Sequence, residues 1–211
     1  LILHYSGKKN GHLLDIGTGT GYFPLTMQSK GWQVEAVEKN EQARRYGNET
    51  FGLNIQDENH LSTYPRQSFD AITLWHVMEH LEHLDDTSEL LYALLKDTGI
   101  LVIAVPNSSS YDAAKYGTYW AAYDVPRHLW HFTPNTIQQF GMKHNFILAE
   151  KHPMPFDAFY VSMLSEKYKG SFSPFLKGMF TGSLAWIHSL SKKERSSSMI
   201  YIFRKSRNEN E

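Results

Sequence analysis

The 211-residue chain fits one domain and is long enough to bury a substantial hydrophobic core. Its 21 Lys and Arg residues nearly balance 22 Asp and Glu residues, so the overall charge does not indicate a nucleic-acid partner. The chain has no cysteine, which excludes disulfides and cysteine-bound metals and fits a reducing, cytoplasmic location. No transmembrane or signal segment is visible, and because position 1 is Leu rather than Met we expect further chain before it.

Short apolar runs alternate with amphipathic stretches over the first 106 residues. The runs predict strands over 12–17, 32–38, 53–56, 69–75 and 100–106, and the stretches predict helices over 21–31, 40–52 and 84–99. This alternation is typical of an α/β, Rossmann-like three-layer sandwich with a mostly parallel sheet.

The alternation breaks after Pro106. Residues 107–132 are rich in aromatic side chains without a clear period, which predicts an aromatic lid insertion within the domain. A helix then begins at Thr133 and Pro134 and ends near His144, followed by a strand over 145–150. Residues 153–195 are predicted as a helical C-terminal section, with helices over 157–169 and 174–190. A last strand over 198–204 precedes a polar tail, from Ser206, that we expect to be disordered.

The stretch "LLDIGTGTGYF" places three glycines, Gly17, Gly19 and Gly21, between the first strand and the first helix. A backbone that turns sharply against a ligand needs glycine, because a Cβ would obstruct it. The spacing differs from the dinucleotide fingerprint, since Tyr22 occupies the third glycine position, and the lysine of a P-loop is absent. Asp15, inside the strand end, favours a ligand with an ammonium or sulfonium group over a pyrophosphate.

A second acid, Glu38, ends the next strand. An adjacent parallel strand presents a carboxylate at this position to a ribose diol. Alternatively, Glu38 caps the helix that begins near Glu41. Because Asp15 and Glu38 both lie at carboxyl ends of neighbouring strands around the glycine turn, the ligand-binding interpretation is favoured.

On these residues the sequence resembles the class I S-adenosylmethionine-dependent methyltransferases, particularly the group related to ubiquinone-type O-methyltransferases. The resemblance covers about residues 12–150, through "LLDIGTGTGYF", "VEAVEKNEQA", and "FDAITLWHVMEHL" followed by "GILVIAVPN". It implies a seven-stranded sheet whose last strand, 199–203, is antiparallel, and it implies S-adenosylmethionine as the cofactor.

The resemblance also implies which residues contact the cofactor. Glu38 would bind the ribose hydroxyls, and the turn from Gly17 to Gly21 would hold the methionine part. Asp57 is the nearest match to the residue that contacts the adenine amine, although "IQDENHL" departs from the usual pattern. The expected cofactor-binding residues are Asp15, Gly17, Thr18, Gly19, Gly21, Tyr22, Glu38, Asp57 and Trp75.

The stretch "LWHVMEHLEH", residues 74–83, contains the H-x-x-E-H pattern of inverted zinc peptidases. A zinc site of that kind needs His76 and His80 one turn apart on a continuous helix. The strand-like run over 69–75 leads directly into His76, so we predict no such metal site. In the resembling family this strand end lies beneath the reacting methyl group, which places His76, Glu79 and His80 at the cofactor cleft.

Three roles stay open for these polar side chains. They could act as a general base, which imidazole suits near neutral pH. They could bind a divalent ion, as in relatives with E-x-x-E-H here, although this chain has His76 in place of the first Glu. They could also hydrogen-bond the loop backbone and fix the pocket.

The stretch "VPRHLWHFTP", residues 125–134, brings Arg127, His128 and His131 toward the same edge of the sheet. Its aromatics either enclose an acceptor and exclude water or only pack the insertion, with His131 bonded to the backbone. The candidate catalytic residues are His76, His80 and His128.

The predicted function is methyl transfer from S-adenosylmethionine to a small organic acceptor, first of all at oxygen because of the histidines. The alternatives are a domain that binds the cofactor without reacting and a nicotinamide-dependent oxidoreductase, which Tyr22 and Asp15 disfavour. The apolar stretch over 173–193, with its basic end, predicts a cap on the core, a homodimer face or a membrane-surface helix.

Overall fold

The computed structural model describes residues 1–206 and is built on a seven-stranded sheet of order β3-β2-β1-β4-β5-β7-β6. The strands are β1 (His12–Ile16), β2 (Gln33–Val37), β3 (Ile55–Gln56), β4 (Phe69–Trp75), β5 (Leu95–Pro106), β6 (Phe146–Met154) and β7 (Ser198–Lys205). β7 runs antiparallel to both β5 and β6, while β1 to β5 pair in parallel. The predicted fold class and the antiparallel last strand are confirmed.

Eight α-helices join and cover these strands in the described part of the chain. They are α1 (Ile2–Ser6), α2 (Tyr22–Ser29), α3 (Glu41–Phe51), α4 (Leu84–Leu94), α5 (Tyr111–Tyr116), α6 (Pro134–Lys143), α7 (Asp157–Tyr168) and α8 (Pro174–Ser191). The sequence did not predict α1 or α5. The predicted helix starts are confirmed at α3, where Asn40 Oδ1 accepts from the Ala43 amide, and at α6, where Thr133 is the N-cap.

Two boundaries differ from the prediction because strand pairing overrides local propensity. α4 ends at Leu94, and β5 begins at Leu95 because that residue pairs with Phe69 of β4. β6 continues to Met154, where it pairs with Ser198 of β7. The expected disorder of the tail concerns residues 207–211, which lie outside the described residues.

Apolar side chains pack on both faces of the sheet. Leu13 and Leu14 are adjacent in β1 and belong to different clusters, since successive side chains of a strand point to opposite faces. Leu14 packs with α4 and α6, through Leu91 and Ile137, whereas Leu13 packs with α1 and α2. The sheet is therefore the middle layer of the sandwich.

The segment that the sequence predicted as an aromatic insertion forms α5 and two short 3-10 helices. Trp120 is 2% exposed, and its indole N–H donates to Asp112 Oδ2 over 2.8 Å. The backbone N–H of Ala121 donates to Ser165 Oγ of α7 over 2.8 Å. Residues 111–123 therefore hold the helical C-terminal section in place above the carboxyl edge of β5. Within residues 1–206, none of the helices has the length and apolarity needed to cross a membrane.

Candidate active site

The glycine turn after β1 has the conformation that its sequence predicts. Gly17, Gly19 and Gly21 have φ values of +69°, +58° and +90°, which residues with a Cβ rarely adopt. A Cβ on Gly17 would lie 2.4 Å from Val77 Cγ2, so the turn also packs closely against the loop that follows β4. The N–H groups of Gly17 and Thr18 both donate to the carbonyl of Val37, which ties the turn to the end of β2.

Glu38 fastens the same turn through its carboxylate. Oε2 accepts from the Gly19 N–H, and Oε1 accepts from the Asn40 N–H, each over 2.8 Å. Since Asn40 caps α3, the alternative in which Glu38 is the cap is wrong. Each Glu38 oxygen retains a second lone pair, and the carboxylate can therefore still accept from ligand hydroxyls.

Asp15 lies fully buried beneath this turn. Thr73 Oγ1 donates to Asp15 Oδ1 over 2.6 Å, while Oδ2 has no hydrogen-bond partner within residues 1–206. Burial raises the pKa of Asp15 to about 7, and the negative charge of Glu38 adds to this rise. A buried carboxylate oxygen without a donor is a favourable partner for a ligand ammonium or sulfonium group.

Asp57 follows β3 at the same edge and is linked to Glu38 by Arg44. Arg44 Nη1 lies 3.0 Å from Asp57 Oδ2 and donates to the backbone carbonyl of Glu38 over 2.8 Å. Asp57 Oδ1 accepts from the Asn59 N–H, and this bond lowers the pKa of Asp57. The two acids thus meet at one edge, as the resemblance implies.

Tyr22 and Trp75 differ in their surroundings. Tyr22 is 62% exposed, and its ring packs on the edge of Phe51 with 5.0 Å between centroids. Trp75 packs against Phe23 of α2, and its buried indole N–H has no partner within the described residues. Both lie beside the glycine turn, at the first residue of α2 and the last residue of β4.

His76 lies directly after β4 with a φ of +54°, so it is not helical, as the sequence predicted. Its Nδ1 is 3.3 Å from Glu79 Oε1, and its Nε2 is 3.3 Å from Asp157 Oδ2. Burial acts to lower the pKa of His76, but hydrogen bonds to Asp157 and Glu79 overcome it and raise the pKa to about 9. His76 is therefore an imidazolium at neutral pH, in contact with one carboxylate at each ring nitrogen.

The loop after His76 is fastened to residues 127–130. His80 Nδ1 donates to the Arg127 carbonyl over 2.9 Å, and the Leu129 N–H donates to the Glu79 carbonyl over 2.8 Å. The indole of Trp130 donates to the Leu81 carbonyl over 2.7 Å. These bonds support the interpretation in which this loop and the aromatic segment brace each other.

His128 forms one ring hydrogen bond and holds its second ring nitrogen, Nε2, 3.8 Å from Asp124 Oδ2. Its Nδ1 donates to the Ala122 carbonyl over 2.8 Å, so Nε2 carries the free lone pair when the ring is neutral. Burial lowers the pKa of His128. The ring lies 4.6 Å from that of His80, and ligand-type atoms of Glu79, His80 and His128 lie within 4.8 Å of one another. His131, by contrast, bonds the Tyr123 carbonyl through Nε2 over 2.9 Å.

A cavity of about 350 Å³ lies where these groups meet. Its polar lining includes His76, Glu79, His128 and Asp157, and its aromatic lining is Tyr160 and Tyr168. These two tyrosines belong to α7, whereas the lining of the cavity includes no Phe, Tyr or Trp side chain of the predicted insertion, residues 107–132. Sequence reasoning missed Asp157, Tyr160 and Tyr168, because an acid in a first helical turn is usual and helical tyrosines carry no local signal of a cavity.

The sheet order, the antiparallel β7, the glycine turn after β1 and the acid after β2 define the Rossmann-like fold of S-adenosylmethionine-dependent methyltransferases. The chain belongs to the family described as a methyltransferase domain, whose model matches residues 1–151.

Individual proteins are similar to this chain in sequence or in fold. An uncharacterized methyltransferase of Staphylococcus carnosus is 28% identical over 109 residues, which cover 50% of this chain and 51% of the relative. The crystal structure of a SAM-dependent methyltransferase from Archaeoglobus fulgidus superimposes with a TM-score of 0.62 at 19% identity, covering 97% of this chain and 89% of that one. A structure described as the [4+2]-cyclase SpnF has a TM-score of 0.67 at 15% identity, covering 97% and 78%.

The chain spans about half the length of the curated relatives it matches. The similar solved structures share the fold at low identity, and among them is a protein described as a cyclase. The assignment to the ubiquinone-type group stays a prediction.

Proposed function

We propose that this protein transfers a methyl group from S-adenosylmethionine to a small organic acceptor, at an oxygen atom. The proposal rests on the glycine turn, where the Gly19 N–H donates to Glu38 beside buried Asp15. The adjacent cavity, lined by the imidazoles of His76 and His128, offers space for an acceptor. S-adenosylmethionine, when bound, supplies an electrophilic methyl group on a sulfonium.

The residues around the glycine turn fit this cofactor. The unpartnered Oδ2 of Asp15 suits a positively charged group, and the Glu38 carboxylate suits a vicinal diol. The positive φ angles of Gly17 and Gly19 let the backbone approach a ligand closely. Tyr22, Asp57 and Trp75 would complete the binding site, with the unpartnered indole N–H of Trp75 available as a donor.

The acceptor would occupy the cavity between the loop after β4 and α7. His128 is our candidate base, because Nδ1 is held by the Ala122 carbonyl and Nε2 can take a proton from an acceptor hydroxyl. His80 keeps its Nε2 available in the same way, but its Nδ1 bond to Arg127 makes bracing its main role. His76, with both nitrogens engaged, is assigned the orienting of Glu79 and Asp157 rather than proton abstraction.

We assign no metal to this cluster. The imidazolium of His76 lies 3.3 Å from Glu79, and its positive charge opposes a divalent cation at that carboxylate. Methyl transfer needs mainly in-line positioning and exclusion of water, and neither requires a metal.

Calorimetry tests the cofactor assignment. We expect the full chain to bind S-adenosylhomocysteine and not to bind NAD. Binding of NAD without S-adenosylhomocysteine would overturn the proposal in favour of a nicotinamide-dependent enzyme.

A tritiated-methyl screen over pools of small organic acceptors tests catalysis. Incorporation into a hydroxylated acceptor supports the proposal, and incorporation at nitrogen or carbon corrects the acceptor atom. Binding of S-adenosylhomocysteine combined with silence across broad pools would favour a domain that binds the cofactor without reacting.

A further inference from the structure

Helix α8 buries its small and polar residues and exposes its large apolar ones, which is the reverse of the usual amphipathic helix. Its buried residues are small or polar: Gly178, Thr181, Gly182, Ala185 and Ser189. Its exposed residues include Phe175, Leu176, Met179, Phe180, Trp186, Ile187 and Leu190, with side chains 37–67% exposed. A helix that packs on a globular core normally turns its large apolar residues inward.

The small residues explain how α8 stays in place without burying its large ones. A Cβ on Gly178 would lie 2.5 Å from the Met163 backbone, and one on Gly182 would lie 2.8 Å from the Phe159 backbone. The backbones of α7 and α8 are therefore in direct contact, which close glycine-lined packing permits. The large apolar side chains are left on the outer face of α8.

The turn between α7 and α8 extends this apolar face. Phe172 is fully exposed at the turn, and Phe175 and Leu176 in the first turn of α8 are each more than 60% exposed. We call the exposed apolar residues of α8 together with Phe172 the hairpin face. An apolar face of this extent on a folded domain marks an interaction surface.

Charge distinguishes the possible partners of the hairpin face. Residues 167–193 contain five lysines, Lys167, Lys169, Lys177, Lys192 and Lys193, and no aspartate or glutamate. All five are exposed, and none forms an ion pair within residues 1–206. A second copy of the chain would bring the same positive charges against them, whereas anionic lipid headgroups would complement them.

We propose that the hairpin face docks onto the surface of an anionic lipid bilayer. The large apolar side chains enter the boundary between headgroups and acyl chains, and the lysines contact the lipid phosphates. α8 lies on the bilayer rather than crossing it, since it falls short of a spanning helix. This proposal is independent of the chemistry in the cavity, because it concerns binding alone.

Flotation with vesicles tests the proposal on the full chain. We expect the protein to float with vesicles of phosphatidylcholine and phosphatidylglycerol, and much less with phosphatidylcholine alone. Leu176→Ser with Phe180→Ser should weaken binding by about tenfold or more, because both side chains leave the apolar phase. Lys192→Gln with Lys193→Gln should weaken binding to the anionic vesicles by roughly tenfold.

Met142→Ser with Ile147→Ser is the matched control, since these residues are 56% and 55% exposed outside the hairpin face. The control should bind as the wild type does. Absence of flotation with anionic vesicles would overturn the proposal, as would equal flotation of all variants. A lipid-free dimer in sedimentation analysis that Leu176→Ser with Phe180→Ser dissociates would assign the face to a second copy instead.

Discussion

His76 Nε2 lies 3.3 Å from the Asp157 carboxylate, so the end of β4 is joined to the first turn of α7 across the candidate acceptor cavity. The same imidazole reaches Glu79 with its other nitrogen. This contact links α7, the helix that carries Tyr160 and Tyr168, to the side chain that directly follows β4.

Asp157→Asn should weaken this link and raise the KM for the acceptor by about threefold to tenfold, with little change in cofactor affinity.

Because the pKa of His76 is raised from 6.5 to about 9, its ion pairs stabilise the fold fully below pH 6.5 and are lost as the pH rises through about 9. The wild-type melting temperature should therefore fall above neutral pH, and that of Asp157→Asn should fall less. Asp86→Asn, at an exposed position in α4, is the control for thermal unfolding across pH. Equal pH profiles for wild type and Asp157→Asn would contradict the charged state of His76.

Asp15→Asn should stabilise the apo-protein and weaken cofactor binding. The pKa of Asp15 is raised from 3.8 to about 7, so the folded state loses stability as the pH rises through that range, and the amide removes this loss. We expect the free energy of unfolding above pH 7 to increase by about 1 to 3 kcal/mol. Denaturant unfolding measures the stability.

Wild-type affinity for S-adenosylhomocysteine should increase as the pH rises through about 7, because the ionised Asp15 attracts the ligand ammonium. Calorimetry at several pH values should show a flat profile for Asp15→Asn. If the affinity of Asp15→Asn for S-adenosylhomocysteine depends on pH as that of the wild type does, Asp15 does not contact the ligand.

Glu38→Gln should reduce affinity for S-adenosylhomocysteine by roughly tenfold to a hundredfold, since charge-assisted hydrogen bonds to ligand hydroxyls are lost. The amide oxygen of Gln can still accept from the Gly19 N–H, whereas its NH2 group cannot replace Oε1 as the acceptor for the Asn40 N–H. Glu41→Gln, in the first turn of α3, provides the control. Equal affinities of the two variants in calorimetry would count against Glu38 as the ribose ligand.

Gly17→Ala and Gly19→Ala separate crowding from backbone strain. Both residues have positive φ, but only at Gly17 would a Cβ collide, 2.4 Å from Val77 Cγ2. Gly19→Ala should cost about 1 kcal/mol of stability from strain alone, and Gly17→Ala about 1 to 3 kcal/mol more. Adding Val77→Ala to Gly17→Ala should recover part of the difference in thermal unfolding. If the stability does not recover, the contact with Val77 is not the reason why Gly17→Ala costs more than Gly19→Ala.

His128→Gln should lower kcat by about a hundredfold or more while leaving S-adenosylhomocysteine affinity unchanged, once an acceptor is known. Because burial lowers the pKa of His128, the rate should reach its plateau already near neutral pH in the wild type. His80→Ala should affect KM more than kcat through the loss of its bond to Arg127.

Chelation with EDTA should leave the activity unchanged, and a loss that Mg²⁺ restores would assign Glu79, His80 and His128 to a metal instead.

The glycine turn and the acids beside it could be predicted because their signals are local. The run "LLDIG" predicts a buried strand, and three glycines within five residues predict a tight turn directly after it. The next strand ends in Glu38, and parallel strands place their carboxyl ends at one edge. The strand-like run over 69–75 also predicted that His76 does not lie on a helix, and its φ of +54° confirms that prediction.

The cavity beside His76 could not be predicted, because it is assembled from residues far apart in the chain. Asp157 reaches His76, and Tyr160 reaches the cavity, only after β6 and the following turn return α7 to the carboxyl edge of the sheet. Trp120, one of the aromatics of the predicted insertion, is buried, and its indole N–H donates to Asp112 of α5.

By itself, the sequence determined the strand–helix order, the glycine turn and the acids beside it, since these follow from periodicity and from backbone conformations that only certain residues adopt. The tertiary structure alone decided which side chains face one another. It raised the pKa of His76 by placing it between two carboxylates, and it left the apolar face of α8 outward by packing Gly178 and Gly182 against α7. Both results depend on contacts across the fold, which neighbouring residues in the chain do not specify.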